Sequence, residues 1–355
     1  DQSEWEFLVT RLRAPVIAPG DRVPVPRLRG LRGGAALAGP RIWALASGSG
    51  GVGRSTLAVT LGSRLVRRGR SACLVDADWS GPSLGTLLDV PELGAAWSEL
   101  DELRPRPTAL HDDLHVVPGA SPTAGDPTRA DAARLALGVT RLAQDEVLID
   151  LPAGTQDAAL DLWLSVDRPV LVAVPERLPL EATARFLGRV FARLARPFLA
   201  RMHGEVEADA LLNRGFTESG GRTGTWMRTV ARLASAPMED LAAELAGRPL
   251  FLVLNRVRRA DDIDVGHALV TAAGHGLGLD LRFRAALPWD DEAWIRARRR
   301  NGGLTTHPGD VLGVELDEFV QRMDDGVDLP SRGSINLDLR ELARLAGASG
   351  GGAVV

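Results

Sequence analysis

Apolar residues are unevenly spread along the 355-residue chain. Short unbroken apolar runs alternate with longer stretches of helical period. The runs are RIWALAS (41–47), SACLVDAD (71–78), LHVVPG (114–119), EVLIDLPAG (146–154), RPVLVAVPE (168–176), RPLFLVLNR (248–256) and LRFRAALPW (281–289). They lack the in–out alternation of a strand with one wet face, so they read as strands covered on both sides. Between them, 55–68, 131–143, 180–195 and 261–275 carry helical patterns. This alternation predicts an α/β fold with a doubly wound, mainly parallel sheet. It lapses at 196–247, where a polar glycine patch, FTESGGRTGTW, precedes a helix expected at 226–246. That stretch reads as an inserted helical lobe beside the sheet.

Both ends differ from the middle. Residues 1–12 suit a short helix with Trp5, Leu8 and Leu12 on one side, and 13–40 are rich in Pro, Arg and Gly. Such a composition builds no core. The expected organisation is a flexible N-terminal segment (1–40), one domain (41–329) and a flexible C-terminal tail (330–355).

Composition narrows the functional classes. The net charge is −4 and the pI about 5.9, giving no global attraction to nucleic acid or anionic membrane. No apolar run approaches the roughly 18 residues that span a bilayer. The single cysteine, Cys73, lies in an apolar run and has no partner for an internal disulfide. A cytoplasmic location is expected. Two segments are weak candidates for a membrane or DNA contact. RARRR (296–300) reads better as a solvated helix face, and the amphipathic segment 335–346 mixes Asp338 and Glu341 with Arg340 and Arg344. The chain also contains no lysine, so all 42 basic residues are arginines.

Candidate chemistry begins right after the first run, at SGSGGVGRST (47–56). A glycine loop between strand and helix aims backbone N–H groups at an anion, and the helix terminus adds positive potential. Gly48, Gly50, Gly51 and Gly53 allow the close approach, and Ser55 has the hydroxyl expected on a magnesium ion. The position of the usual phosphate-binding lysine holds Arg54. Asp76 and Asp78 follow the second run, and Asp150 ends another. Ligands of open α/β sheets bind at such carboxyl ends, and an acid there can hold the water shell of Mg²⁺.

These motifs resemble the MinD/ParA family of P-loop ATPases over about residues 41–323. SGSGGVGRST matches the deviant loop K-G-G-x-G-K-[ST]. VDADWSGPSLGTLLDV matches the first switch and LIDLPAGTQ the second. LFLVLNRV and AALPWDDEAWIRARRR match the late strands that frame adenine. Among the branches, the chain looks most like the FlhG-like (FleN) flagellar-number regulators. The resemblance implies a SIMIBI-type, MinD-like P-loop fold that binds ATP or ADP with Mg²⁺. It places the amides of Gly50, Gly51, Val52, Gly53, Arg54 and Ser55 around the phosphates, and Thr56 near the α-phosphate. Asn255 and the Pro288 loop would contact adenine. Ser55 would ligate Mg²⁺, and Asp150 would hold it through water. Asp78 would orient the attacking water, with Arg54 supplying the lysine's charge. Ser49 stands where the family's signature lysine crosses a dimer to the partner's phosphates.

What the resemblance implies, then, is a nucleotide-dependent homodimer that recruits an unidentified protein partner. It would regulate the placement or assembly of a flagellum, pilus, division site or other cargo. Hydrolysis would be weakened by Ser49 and Arg54, since arginine is not interchangeable with lysine. The alternative is a pseudo-ATPase scaffold that binds partners without turnover. The bridging cysteines of the superfamily's iron-protein and cluster-carrier branches are absent.

Overall fold

A computed structural model describes residues 39–90, 108–111, 113–119, 128–220, 223–290 and 311–330. The helix expected at 1–12, nearly all of the 13–40 linker, the basic run 296–300 and the segment 335–346 lie outside the described residues.

The first apolar run is β1 (Arg41–Ser47), followed through the glycine loop by α1 (Arg54–Arg67) and β2 (Ala72–Asp76). Then come α2 (Leu84–Leu88), β3 (Thr108–His111), β4 (Leu114–Val117), α3 (Arg129–Val139) and β5 (Glu146–Ala153). A helical region follows: α4 (Asp157–Ser165), β6 (Arg168–Ala173), α5 (Arg177–His203), α6 (Glu205–Glu218), α7 (Thr223–Leu233) and α8 (Met238–Ala246). β7 (Leu250–Val257), α9 (Asp262–Leu277), β8 (Leu281–Pro288) and α10 (Val311–Asp325) complete the described chain.

The strands form one sheet in the order β3-β4-β2-β5-β1-β6-β7-β8. Every pairing among them is parallel except that of β3 with β4. The expected α/β class and mainly parallel sheet are what the chain adopts. From β1 the chain first builds to the β2 side, then after β5 to the β6 side. Its direction therefore reverses at β1, and the crevice at the carboxyl ends of β1 and β5 is the switch point where ligands of such sheets bind.

Side chains alternate across β1. Ile42, Ala44 and Ala46 enter one core with α3 to α9, while Trp43 and Leu45 enter a second with α1, α2 and α10. Both faces are covered, which is why the strands read as unbroken apolar runs.

Three expectations of element shape change. The helix expected at 180–195 continues to His203, with Pro197 inside it. A helical proline loses one bond to the preceding turn, but Phe191, Ala195 and Leu199 keep the apolar stripe in the core across that point. The helix expected at 226–246 is two helices: Ser235 takes φ 48° and Pro237 stands at the N-cap of α8. A residue before proline is pushed out of helical geometry, which places the break at Ala236. The strand β3 corresponds to none of the apolar runs.

Residues 196–247 supply the end of α5 and the whole of α6, α7 and α8. Their apolar side chains join the same core as the sheet. Trp226 is fully buried, donates to the Leu212 carbonyl at 3.0 Å, and packs against Phe191 and Phe216 at ring-centroid distances of 4.9 and 5.1 Å. Trp226→Ala should cost about 3–5 kcal/mol and shift one cooperative urea transition to a lower midpoint. Loss of part of the helical signal well before the rest of the chain unfolds would show instead that these helices form a separate unit.

Candidate functional site

The glycine loop leaves β1 and is held from two sides. A Cβ on Gly48 would lie 2.3 Å from the Ala182 carbonyl carbon, so the loop presses directly on the α5 backbone. On the far side, Asn255 Nδ2 donates to the Val52 carbonyl at 2.8 Å, tying the loop to β7. Gly53 has φ 86°, and a Cβ there would meet the same Nδ2 at 2.6 Å. A Cβ on Gly50 or Gly51 would meet nothing within 4 Å, and these two glycines form an open rim. The α1 N-terminus has no side-chain cap and no acidic residue in its first turn. Its amides, together with Ser55 and Thr56, therefore face the rim unneutralised, and this cradle fits phosphate.

Beneath the loop, Arg54 is 7% exposed. Its Nε donates to Asp150 Oδ1 at 2.5 Å, one terminal nitrogen to Asp78 Oδ2 at 2.7 Å, and the other to Ser47 Oγ at 3.1 Å. One guanidinium thus joins the ends of β1 and β5 to the loop after β2. The remaining Asp78 oxygen, Oδ1, accepts from the Ser80 and Gly81 amides, both at 3.1 Å, and from the Ser80 hydroxyl at 2.7 Å.

Asp150 is fully buried, and its Oδ2 has no hydrogen-bond partner. Burial pushes its pKa up, as does the Asp78 charge. Arg54 opposes the shift, helped by the nearby Ser55 hydroxyl, which makes no well-formed bond to Oδ2. Asp76 was seen in the sequence only as an acid at a strand end. Here it anchors the first switch: Oδ1 accepts from the Asp78 amide at 3.1 Å, and Oδ2 from the Ser83 and Leu84 amides at 2.9 and 2.8 Å. Burial, then the Asp150 charge, push its pKa up to about 7 against those three bonds.

The residues assigned to Mg²⁺, Ser55 and Asp150, do stand together, and the orphaned Oδ2 is an acceptor for a cation. The guanidinium, however, already occupies Oδ1 and bridges to Asp78. A dication on the same carboxylate would stand a few ångströms from a buried positive charge, a strongly unfavourable separation in a low-dielectric site. With Arg54 in this position the residues fit phosphate but not Mg²⁺.

Other assigned residues have further partners. Asn255 is engaged at both ends, its Oδ1 accepting from the Arg256 amide at 2.9 Å. It is a clamp on the loop, a role the sequence did not suggest. Pro288 ends β8, and the next residue, Trp289, carries Arg256 and Arg258 at 5.3 and 4.6 Å from its ring centroid. Arg256 takes φ 61°. The Ser49 hydroxyl is buried without a hydrogen-bond partner among the described residues.

A strand, a glycine loop over an open helix terminus and acids at adjacent strand ends define a P-loop fold. Residues 40–117 match the ParA family, described as NUBPL iron-transfer P-loop NTPase. The septum site-determining protein MinD of Synechocystis is 28% identical over 156 residues, 42% of this chain and 58% of that protein. An iron-sulfur cluster carrier protein of Pseudomonas fragi is 33% identical over 229 residues, 59% of this chain and 77% of that protein. The chain spans about half the length of the first of its curated relatives, with 58%, 45% and 57% covered. Among solved structures, MinD of Pyrococcus horikoshii complexed with Mg-ADP is 19% identical and covers 80% of this chain and 96% of its own, with a TM-score of 0.50. The chain belongs to the MinD/ParA family of P-loop NTPases.

Asp76 gives a pH signature. In the unfolded chain its proton leaves near 3.8, whereas in the folded chain it is held to about 7. Between those values the folded state binds the extra proton, so the contribution to stability falls as pH rises and is flat above about 7. The stability of the native chain relative to Asp76→Asn should therefore decline by at most about 1.4 kcal/mol per pH unit across that window. Urea unfolding of both at several pH values is the measurement. Asp150 interacts with Asp76 and shifts in the same direction, so the difference reports the removal of Asp76 together with its effect on Asp150.

Proposed function

We propose that this chain is an adenine-nucleotide-binding member of its family in which binding has outlasted fast hydrolysis. The observation that carries the reading is the open Gly50–Gly51 rim over an uncapped α1 terminus. The amides from Gly50 to Ser55 would hold the phosphates, with Thr56 beside them and the Asn255–Pro288 end of the sheet toward the base. The Mg-ADP in the Pyrococcus horikoshii relative supports a nucleotide there.

Two features argue for slow turnover. Asp78, expected to orient water, has Oδ2 on Arg54 and Oδ1 on Ser80 and Gly81. A water that Asp78 aligns would have to share Oδ2 with the guanidinium. Ser49 carries no charge toward a partner's phosphates. The biological role we infer is a spatial or assembly regulator that acts as a nucleotide-dependent homodimer with a protein partner. Within the family we place it in the FlhG-like branch. The tied Asp78 also favours a second reading, a scaffold with no turnover at all. A cluster-carrier role is disfavoured: Cys73 is buried in β2, and burial pushes its thiol up to about 12, far from the thiolate that a cluster requires.

Calorimetry with ADP and with ATP in excess Mg²⁺ should show saturable binding, and Gly53→Ala should abolish it, because φ 86° and the Asn255 amide leave no room for a methyl group. Absence of heat for both nucleotides would refute the reading. The double variant Ser49→Lys/Arg54→Lys should release phosphate from ATP at least about tenfold faster than the native chain, a barrier lowered by some 1.4 kcal/mol. A native rate already equal to that of the variant would mean that the two lost lysines do not limit turnover.

A further inference from the structure

The three contacts of Arg54 diverge. They run from three different nitrogens to three chain segments: Ser47 at the end of β1, Asp78 after β2, and Asp150 in β5. A lysine ammonium is a single nitrogen and cannot span such a set, whereas the planar fork of arginine can. One positive group between two acids, with a hydroxyl as a further partner, is the arrangement a divalent ion makes from oxygen donors. The second observation is the Asp150 carboxylate itself. It is fully buried with an orphaned Oδ2, so withdrawing Arg54 toward a phosphate would leave a buried charge uncompensated, a strongly destabilising change.

We propose that the Arg54 guanidinium is the resident cation of this site, joining Asp78 to Asp150 in place of a divalent metal ion. Phosphates then approach acids that are already paired, and nucleotide binding does not depend on Mg²⁺. The loop carrying Asp78 is held to β5 whether or not nucleotide is present. The inference rests on the proposed nucleotide site for what the cation serves, but its first test contains no nucleotide.

The full-length chain, Arg54→Gln and Arg54→Lys are titrated with Mn²⁺ and the bound ion is read by electron paramagnetic resonance, after thermal melts confirm that each variant folds. Arg54→Gln frees both carboxylates and should bind Mn²⁺ at least about tenfold more tightly than the native chain. Arg54→Lys, whose single nitrogen cannot reproduce all three contacts of the fork, should also gain affinity and decides the matter if Arg54→Gln does not fold. Native binding as tight as that of the variants, or no gain in either, overturns the proposal. A fluorescent ADP analogue is then titrated in EDTA and in Mg²⁺. The native affinity should change by less than about threefold and that of Arg54→Lys by more than about tenfold. Native binding that requires Mg²⁺ overturns the proposal and leaves the nucleotide reading intact. Failure to bind in either buffer refutes the nucleotide reading, and the Mn²⁺ result still decides the cation.

Discussion

The contact between Arg54 and Asp150 is the constraint on which the rest of the site depends. A fully buried carboxylate at a strand end must be paired with a positive charge, satisfied by hydrogen-bond donors, or neutralised by a proton. The sheet supplies the position: β5 lies between β2 and β1, with Asp150 paired to Asp76 on one side and to Leu45 on the other. Two acids are thereby held level on neighbouring strands, and they are managed differently. Asp150 takes the guanidinium. Asp76 takes backbone amides and moves toward the neutral form, and in doing so fixes the start of α2. The first switch is consequently tied at both of its aspartates before any ligand arrives.

The glycines of the loop divide by physical cause. Gly48 is required by contact with the α5 backbone, and Gly53 by its left-handed backbone and the Asn255 amide. Neither requirement needs a ligand. Gly50 meets nothing within 4 Å, and Gly51, though left-handed at φ 76°, has open space beside it. The case for an anion therefore rests on Gly50, on the open space beside Gly51 and on the bare α1 terminus, because contact with the protein accounts for none of these.

Much of the fold was legible because burial on both faces writes itself as unbroken apolar runs, and each of the seven runs contains a strand. The strand β3 was missed because Thr108–His111 is four residues at a sheet edge, paired only with β4 and carrying no apolar run. The break at Ala236 was written in the sequence as Ala-Pro but was outweighed by the helical period on either side. At the site, the loop and its three acids could be read because they are local motifs. The contacts among them could not. The Arg54 bridge, the Asn255 clamp 203 residues from its acceptor, and the pairing of Arg256 and Arg258 with Trp289 are consequences of the strand order. The one local hint was the absence of lysine.

That absence links the site to the rest of the molecule. Arginine forks engage several partners elsewhere too. Asp161 is held by Arg129 and Arg193, and Glu146 by Arg70 at 3.0 Å and by the Trp43 indole N–H at 2.7 Å. Glu146 and Asp150 lie toward opposite ends of β5, and both are buried acids neutralised by arginine. They differ in what covers them. At the amino end, Arg41 and Arg168 reach Asp324 at 2.8 Å each, which ties α10 into the network. At the carboxyl end, the cover is a glycine loop with an open rim and an uncapped helix terminus. The same acid–arginine chemistry is bound to a helix side chain at one end of the strand and lies under amides that can receive an anion at the other, and that difference in what stands over it is what separates a structural ion pair from a candidate site.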